Sequence, residues 1–471
     1  MASRRPRKHI HGLDDDSLLQ VFSCYRLEEK DNWYLQIAWR NLVQVCRRWR
    51  FLIYNSCSHL DLCLLLTNDS PSSHIPSHLA LLPLVIYHPD RNRTTARRDE
   101  DNIHLGLQQH HGRVRQVILQ APSSSLSTWL DLMNKPFPKL RDLSLLSTSL
   151  TTTEEMNLVL PETLHAPDLH HLSLHGISLP KESSFLSSTT ALSTLSLTHI
   201  QESCYFPPGR LVTQLQRLPH LEELSIGFAT PIPPSSDREL LFPLIQPVTL
   251  HTLRQLTFHG DDIYLDNLVA HINTPLLERL GLTLRFNLDF TFVNLAELTH
   301  STEGLGCFVA QIIFNKGGVS IDAGYYEQQG IWKLSVHVNC KPVDWQIYSA
   351  TQVCSALGKV VSTVNVLTVD LNVDGIPPDW ENTLDSIMWL ELLLPFIGVK
   401  KLCIGSSLTL ELSQALESVA GGLVLELLPE LQELEVQLEN DRAKNSLSLF
   451  VETRESVGRP VHLVRQIPRS E

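Results

Sequence analysis

Residues able to carry chemistry are plentiful in this chain, but their spacing converges on no reaction centre. It has 21 histidines, and the densest group is His170, His171 and His175 beside Asp168. A structural zinc site needs four ligands meeting tetrahedrally. The leucines around this group make it a strand, on which His171 and His175 share one face while His170 takes the other. Exposed polar strand positions are therefore expected there, not a metal site. Cys57 and Cys63 belong to no C-x-x-C pair, and the 9 cysteines read as reduced thiols that pack as small hydrophobes in an intracellular protein. The patterns G-x-S-x-G, H-E-x-x-H and G-x-x-x-x-G-K-[ST] are absent, as is G-x-G-x-x-G after a strand. No catalytic residue, metal ligand or cofactor is assigned, and the chain is expected not to be an enzyme. Arg40, Arg47, Arg48 and Arg50 stand around Trp49 as a basic group. The formal net charge of −13 opposes a nucleic-acid role, because that binding rests on neutralising phosphates with Lys and Arg.

Addressing signals are few. Arg4, Arg5, Arg7 and Lys8 make a basic start without the apolar run of a secretory signal, and no stretch approaches the 18 or so apolar residues of a membrane span. No membrane partner is expected, and the location expected is cytoplasmic, nuclear or both. Asn68 and Asn92 match the glycosylation acceptor pattern by chance.

What, then, do the elements position? Residues 10–56 read as a small three-helix unit. Asp14, Asp15 and Asp16 suit the start of a helix, where carboxylates accept backbone N–H bonds and oppose the dipole. Leu18, Leu19 and Phe22 follow as one stripe. A last helix carries Leu42, Cys46, Trp49 and Ile53 at spacings of 4, 3 and 4, widened by Val45 and Leu52. A unit of this size is expected to leave apolar surface over, because small domains bury a low fraction of their surface. Residues 57–110 read as a connecting segment. It holds short strand patterns at 59–66 and 81–87 and a charged loop at 89–101, with Arg91, Arg93, Arg97 and Arg98 facing Asp99, Glu100 and Asp101.

From residue 111 to 464 a period appears. The pattern apolar-x-x-apolar-x-apolar starts at Val114, Leu140, Leu169, Leu192, Leu221, Leu253 and Leu277, with weaker copies at Val309, Ile331, Val364, Val399 and Leu431. The mean spacing of about 29 residues is that of leucine-rich repeats. Alternation within each copy demands a strand, and helical spacing between copies (Leu126, Trp129, Leu130, Met133; Leu211, Leu215, Leu218; Leu384, Ile387, Leu390; Leu412, Leu416, Val419) demands helices. The expected fold is α/β: an irregular horseshoe with a parallel sheet inside and helices outside. Residues 307–340 depart from the period and are expected to form an antiparallel insertion turning at Asn315-Lys316-Gly317-Gly318. Arg465 to Glu471 is expected to be a frayed tail. The intervening positions of each copy should face away from the core. Among them Glu222, Glu223, Arg254, Glu278 and Arg279 form a mixed-charge band expected to bind a protein substrate.

The order Leu13, Leu18-Leu19, Phe22, then Val45-Cys46-Arg47-Arg48-Trp49-Arg50 resembles an F-box. With its repeats the whole chain is similar to the F-box/leucine-rich-repeat proteins abundant in mushroom-forming fungi. The resemblance implies a three-helix F-box that docks a Skp-family adaptor, and through it a cullin, with Leu13, Leu18, Leu19, Phe22, Val45, Cys46 and Trp49 lining or supporting the adaptor face. It implies a substrate-recognition subunit of an SCF-type (cullin–RING) ubiquitin ligase. The alternative is a repeat scaffold not coupled to ubiquitin transfer.

Overall fold

The computed structural model describes residues 13–27, 39–66, 81–88, 97–148, 157–180, 185–231, 247–285, 290, 292–325, 332–372, 386–418, 426–436 and 441–465. The chain divides into two compact units at Leu192/Ser193.

The first unit opens with α1 (Asp15–Leu27). Asp14 precedes it, and its Oδ1 accepts the Ser17 N–H at 2.7 Å, which holds its carboxyl below the ordinary carboxylate value. The single last helix expected from the spacing is in fact two, α2 (Trp39–Val45) and α3 (Arg47–Asn55). Cys46 separates them. Its backbone is extended and its Sγ accepts the Trp49 N–H at 3.4 Å, so this residue caps α3 instead of sitting inside a longer helix. The break changes which residues face inward. Leu18, Phe22, Trp49, Leu52 and Ile53 are buried, Leu19, Leu42 and Cys46 are half-buried, and Val45 is exposed. Phe22 and Trp49 meet edge to face with centroids 4.8 Å apart. Arg48 ties α3 to the start of α1, with Nη2 2.7 Å from the Leu13 carbonyl and 2.6 Å from Asp15 Oδ1.

The segment expected to be a connector builds the sheet. Strands β1 (Leu64–Leu65) and β2 (Leu84–His88) pair in parallel, and α4 (Arg97–Gln109) follows. Residues 97–101 are thus helical, not loop, and the rest of the expected loop (89–96) lies outside the described residues. Ile103 and Leu107, four apart and both buried, supply the apolar face that selects a helix. Next come β3 (Val114–Ala121), α5 (Ser123–Leu132), β4 (Asp142–Ser147) and β5 (His171–His175). The order β1-β2-β3-β4-β5 is parallel throughout. Leu140 and Leu169, the expected repeat starts, are fully buried two residues ahead of their strands. Their successors continue the ladder: the Arg141 N–H donates to the Arg115 carbonyl at 2.7 Å and the His170 N–H to that of Arg141 at 2.8 Å. Trp39 joins helices to sheet through Nε1, which donates to the Cys63 carbonyl at 3.1 Å.

The second unit starts with β6 (Thr194–Ile200), α6 (Pro208–Leu215), β7 (Glu223–Phe228), β8 (Gln255–Gly260), α7 (Asp262–Val269) and β9 (Arg279–Arg285). It continues with α8 (Val293–Ser301), β10 (Val309–Asn315), β11 (Gly318–Gly324), β12 (Leu334–Asn339), α9 (Val343–Ala356) and β13 (Val366–Leu371). It closes with α10 (Ser386–Leu393), β14 (Lys401–Ile404), α11 (Thr409–Ser418), β15 (Glu433–Val436), α12 (Asp441–Ser456) and β16 (His462–Arg465). Arg465 therefore belongs to the last strand, and 466–471, the remainder of the expected tail, lies outside the described residues.

Strand order in this sheet is β6-β7-β8-β9-β12-β11-β10-β13-β14-β15-β16. The expected antiparallel insertion is a single strand: β11 runs against both neighbours, while β12 is parallel to β9 and β10 is parallel to β13. The chain skips two positions after β9, then fills them backwards through the hairpin. The copies at Val309 and around β12 thus keep the direction of the other repeats. Asn315 Oδ1 accepts the Gly317 N–H at 2.9 Å in the turn. Helix α10 is phased differently from the expected stripe at Ile387 and Leu390: Trp389, Leu392 and Leu393 face inward and Ile387 is exposed, while Leu384 of that stripe lies outside the described residues. The indole of Trp389 fills the space beside Phe314, centroids 5.5 Å apart, and sets that phase. An aromatic cluster binds α7 to the sheet, with Tyr264 4.7 Å from Phe228 and stacked on Phe258 at 5.8 Å.

Candidate functional site

The strands sort their side chains as period two requires. Along β4, Leu143 and Leu145 are buried while Asp142 and Ser144 are half-exposed, and the same alternation runs through β9, β13 and β14. The open face therefore carries the intervening polar residues of each repeat.

At the leading ends of three neighbouring strands the structure places all five residues of the expected charge band. Glu222, Arg254 and Glu278 occupy successive positions at the leading ends of β7, β8 and β9, since the Arg254 N–H donates to the Glu222 carbonyl and the Glu278 N–H to that of Arg254, each at 2.8 Å. One residue on, Glu223, Gln255 and Arg279 are in register. The band pairs with itself: Arg254 Nη1 lies 2.5 Å from Glu278 Oε1, and Arg279 Nη2 lies 3.9 Å from Glu223 Oε1. These side chains are about half exposed, so each pair contributes about 0–1 kcal/mol to stability. A second such group sits further along, where Lys401 Nζ is 2.5 Å from Glu433 and 2.6 Å from Glu435. The two carboxylates hold the ammonium well above its ordinary value.

Register also assembles a polar row that the spacing of the sequence did not reveal. His259 lies beside Thr283, Thr283 beside His337 and His337 beside Ser320. Ser320 Oγ is 2.9 Å from His337 Nδ1, and His337 Nε2 is 3.0 Å from Asn339 Oδ1. His259 is held below its ordinary value by burial, then by Arg285, His199 and His337, with Asp261 opposing. These residues are up to about 140 positions apart in the chain, and only the strand order unites them.

Of the expected adaptor-face residues, Leu13 and Val45 are exposed, Leu19 and Cys46 half-buried, and Leu18, Phe22 and Trp49 buried in the helical core. Val21 and Phe51, which the spacing reading passed over, are exposed at 45% and 68%. They fall on the outer side of α1 and α3, where helical spacing gives an apolar residue no inward partner.

The histidines near β5 do not converge. His171 Nε2 is 3.8 Å from Asp142 Oδ1, and His170 Nδ1 is 2.7 Å from the Asp168 carbonyl. Burial raises the Asp142 carboxyl, with His171, Arg115, His170 and Arg141 pulling the other way. Among the described residues no three His, Cys, Asp or Glu side chains could hold a metal ion. Burial pushes the thiols of Cys307, Cys340 and Cys403 to about 11 and that of Cys354 to about 12, so all four stay protonated and unreactive at neutral pH. No helix among the described residues is long and apolar enough to cross a membrane. No protein-family model matches the chain, and no curated protein matches it.

Proposed function

We propose that this chain is the substrate-recognition subunit of an SCF-type ubiquitin ligase, an F-box on α1–α3 holding a Skp-family adaptor and leucine-rich repeats holding a protein substrate. The observation that carries the reading is the junction at Cys46. The Val45–Arg50 segment is the most F-box-like part of the sequence, and it folds as a cap that turns Trp49 inward on Phe22 while leaving Val45 outside. A helical unit that satisfies its own core and still exposes Leu13, Val21, Val45 and Phe51 has apolar surface to give a partner. The strand face supports the second half of the reading, because parallel strands about 29 residues apart present unrelated polar side chains in closely spaced columns.

The test is affinity capture of the full chain from its own cells with and without a proteasome inhibitor. A Skp-family adaptor and a cullin should be captured in both conditions, and one or more further proteins should be enriched when the proteasome is blocked. Capture of neither adaptor nor cullin would end the proposal.

A second reading has one observation in its favour. Because Glu223–Arg279 and Arg254–Glu278 neutralise one another, the charge band fits a scaffold surface not coupled to ubiquitin transfer. Stable levels of every captured protein after the adaptor is depleted would favour it.

A further inference from the structure

In the first unit a groove of about 570 Å³ crosses the leading ends of four parallel strands. Leu81, Leu82 and Pro83 line it just before β2, Arg115 at the start of β3, Lys139 and Arg141 just before β4, and Asp168 just before β5. Tyr54 at the end of α3 and Asp61 and Leu62 in the turn that follows it also line the groove. We propose that this groove binds an extended peptide segment presenting a carboxylate beside an apolar side chain, and the proposal does not rest on the adaptor reading.

Charge sets the first part of that specificity. Arg115 is already committed, because its guanidinium pairs with Asp61 and also reaches Cys63 Sγ at 3.9 Å. That pair is built into the groove: Asp61 has φ of 48°, a left-handed backbone that few residues other than glycine adopt. Lys139 and Arg141 are both exposed, and their side chains make no hydrogen bond or ion pair among the described residues. With Asp61 and Asp168 counted, three cations face two carboxylates. Arg115 and Arg141 also act on the Asp142 carboxyl beside the groove, which leaves Lys139 as the cation that matches one carboxylate, and the acids repel the dense charge of a polyphosphate.

Shape sets the rest. Strands lie about 4.8 Å apart, so four strand ends span about 14 Å, the length of about four extended residues at about 3.3 Å each. Leu62 and Leu82 form a buried apolar wall, and Leu81, 90% exposed, forms an apolar lip over it. The volume falls within the range of about 300–1,000 Å³ typical of ligand sites.

The test uses the full chain on an array of immobilised pentapeptides, each with a central Glu flanked by Leu, Val, Phe or Ala, beside matched Gln and Lys peptides. Wild type should be retained on Glu peptides with large apolar neighbours at least tenfold more than on their Gln counterparts. The Lys139→Glu/Arg141→Glu chain should lose those peptides at least tenfold and gain the Lys set, and Leu81→Ser should weaken the preference for large neighbours. Should the double variant melt below wild type, Arg141→Gln replaces it, with a several-fold loss on Glu peptides expected. Absence of retained Glu peptides, equal retention of the Gln peptides, or unchanged retention by the charge variants would overturn the proposal.

Discussion

Trp49 packs edge to face on Phe22 with 7% of its surface exposed, so it cannot meet a partner without dismantling the helical unit. Truncating a buried aromatic costs about 3–5 kcal/mol. Trp49→Ala should therefore lower the melting temperature of the first unit, and any loss of partner binding would follow from that. Val45→Asp changes an exposed position and should shift stability by no more than about 0.5 kcal/mol. Thermal melts followed by circular dichroism separate the two. Helical spacing made Leu18, Leu19 and Phe22 legible as one stripe and Leu42, Cys46, Trp49 and Ile53 as another, but spacing marks a stripe without saying whether the stripe is core or docking face. His259 gives a pH-dependent prediction. Its pKa in the folded chain lies below the ordinary 6.5, so the unfolded chain takes up the proton first. The stability it contributes is fully present above that ordinary value and is lost as pH falls through the depressed one. Between about pH 7.5 and about pH 5.5 the wild-type melting temperature should fall further than that of His259→Gln. Parallel behaviour of the two proteins would show that His259 does not titrate in this way.

At the scale of elements, the hairpin turn at Asn315–Gly318 could be read from its residues, while the exchange of strand positions around it could not. Strands β10 and β12 carry the same alternation as any other repeat, and alternation fixes which face is buried but not which neighbour is chosen. The choice is made by the connections, which carry the chain past two strand positions after β9. Gly318 is central to that arrangement, because a Cβ there would collide with the Val338 backbone oxygen on β12. Gly318→Ala should destabilise the second unit by about 2 kcal/mol or more. Hydrogen exchange should show protection lost first in β11 and β12, with β14–β16 retaining theirs. Helix α12 offers an independent case. Arg454 is fully buried and donates from Nη1 to the Leu427 carbonyl at 3.2 Å and from Nη2 to the Pro429 carbonyl at 3.4 Å. Arg454→Met keeps the bulk and strands those acceptors, at about 1–3 kcal/mol by chemical denaturation. Nothing in the helical pattern of 441–456 distinguished this arginine from a solvated one.

At the scale of the whole molecule, the repeat period was the most legible feature, since each leucine-rich copy from Val114 onward begins or closely precedes a strand. The start of the array was not legible. β1 has two residues, and around β2 the pattern Leu81, Leu84, Ile86 is submerged in the unbroken apolar run of 79–87, which shows no alternation. Two strands within 57–110, β1 and β2, are consequently part of the first unit's sheet, and a chain beginning at Ile103 would lose β1, β2 and half of α4 and bare the edge of β3. Such a chain should aggregate or melt well below the full protein by light scattering and calorimetry. The adaptor claim is tested most directly by calorimetric titration of the full chain with a purified Skp-family adaptor carrying no cullin. Binding should be one-to-one with a Kd of about 1 μM or tighter, abolished by Val45→Asp in a chain that melts like wild type and retained by Glu222→Lys/Glu223→Lys. Absence of binding heat at adaptor concentrations of about 100 μM, or wild-type affinity in the Val45→Asp chain, would contradict it.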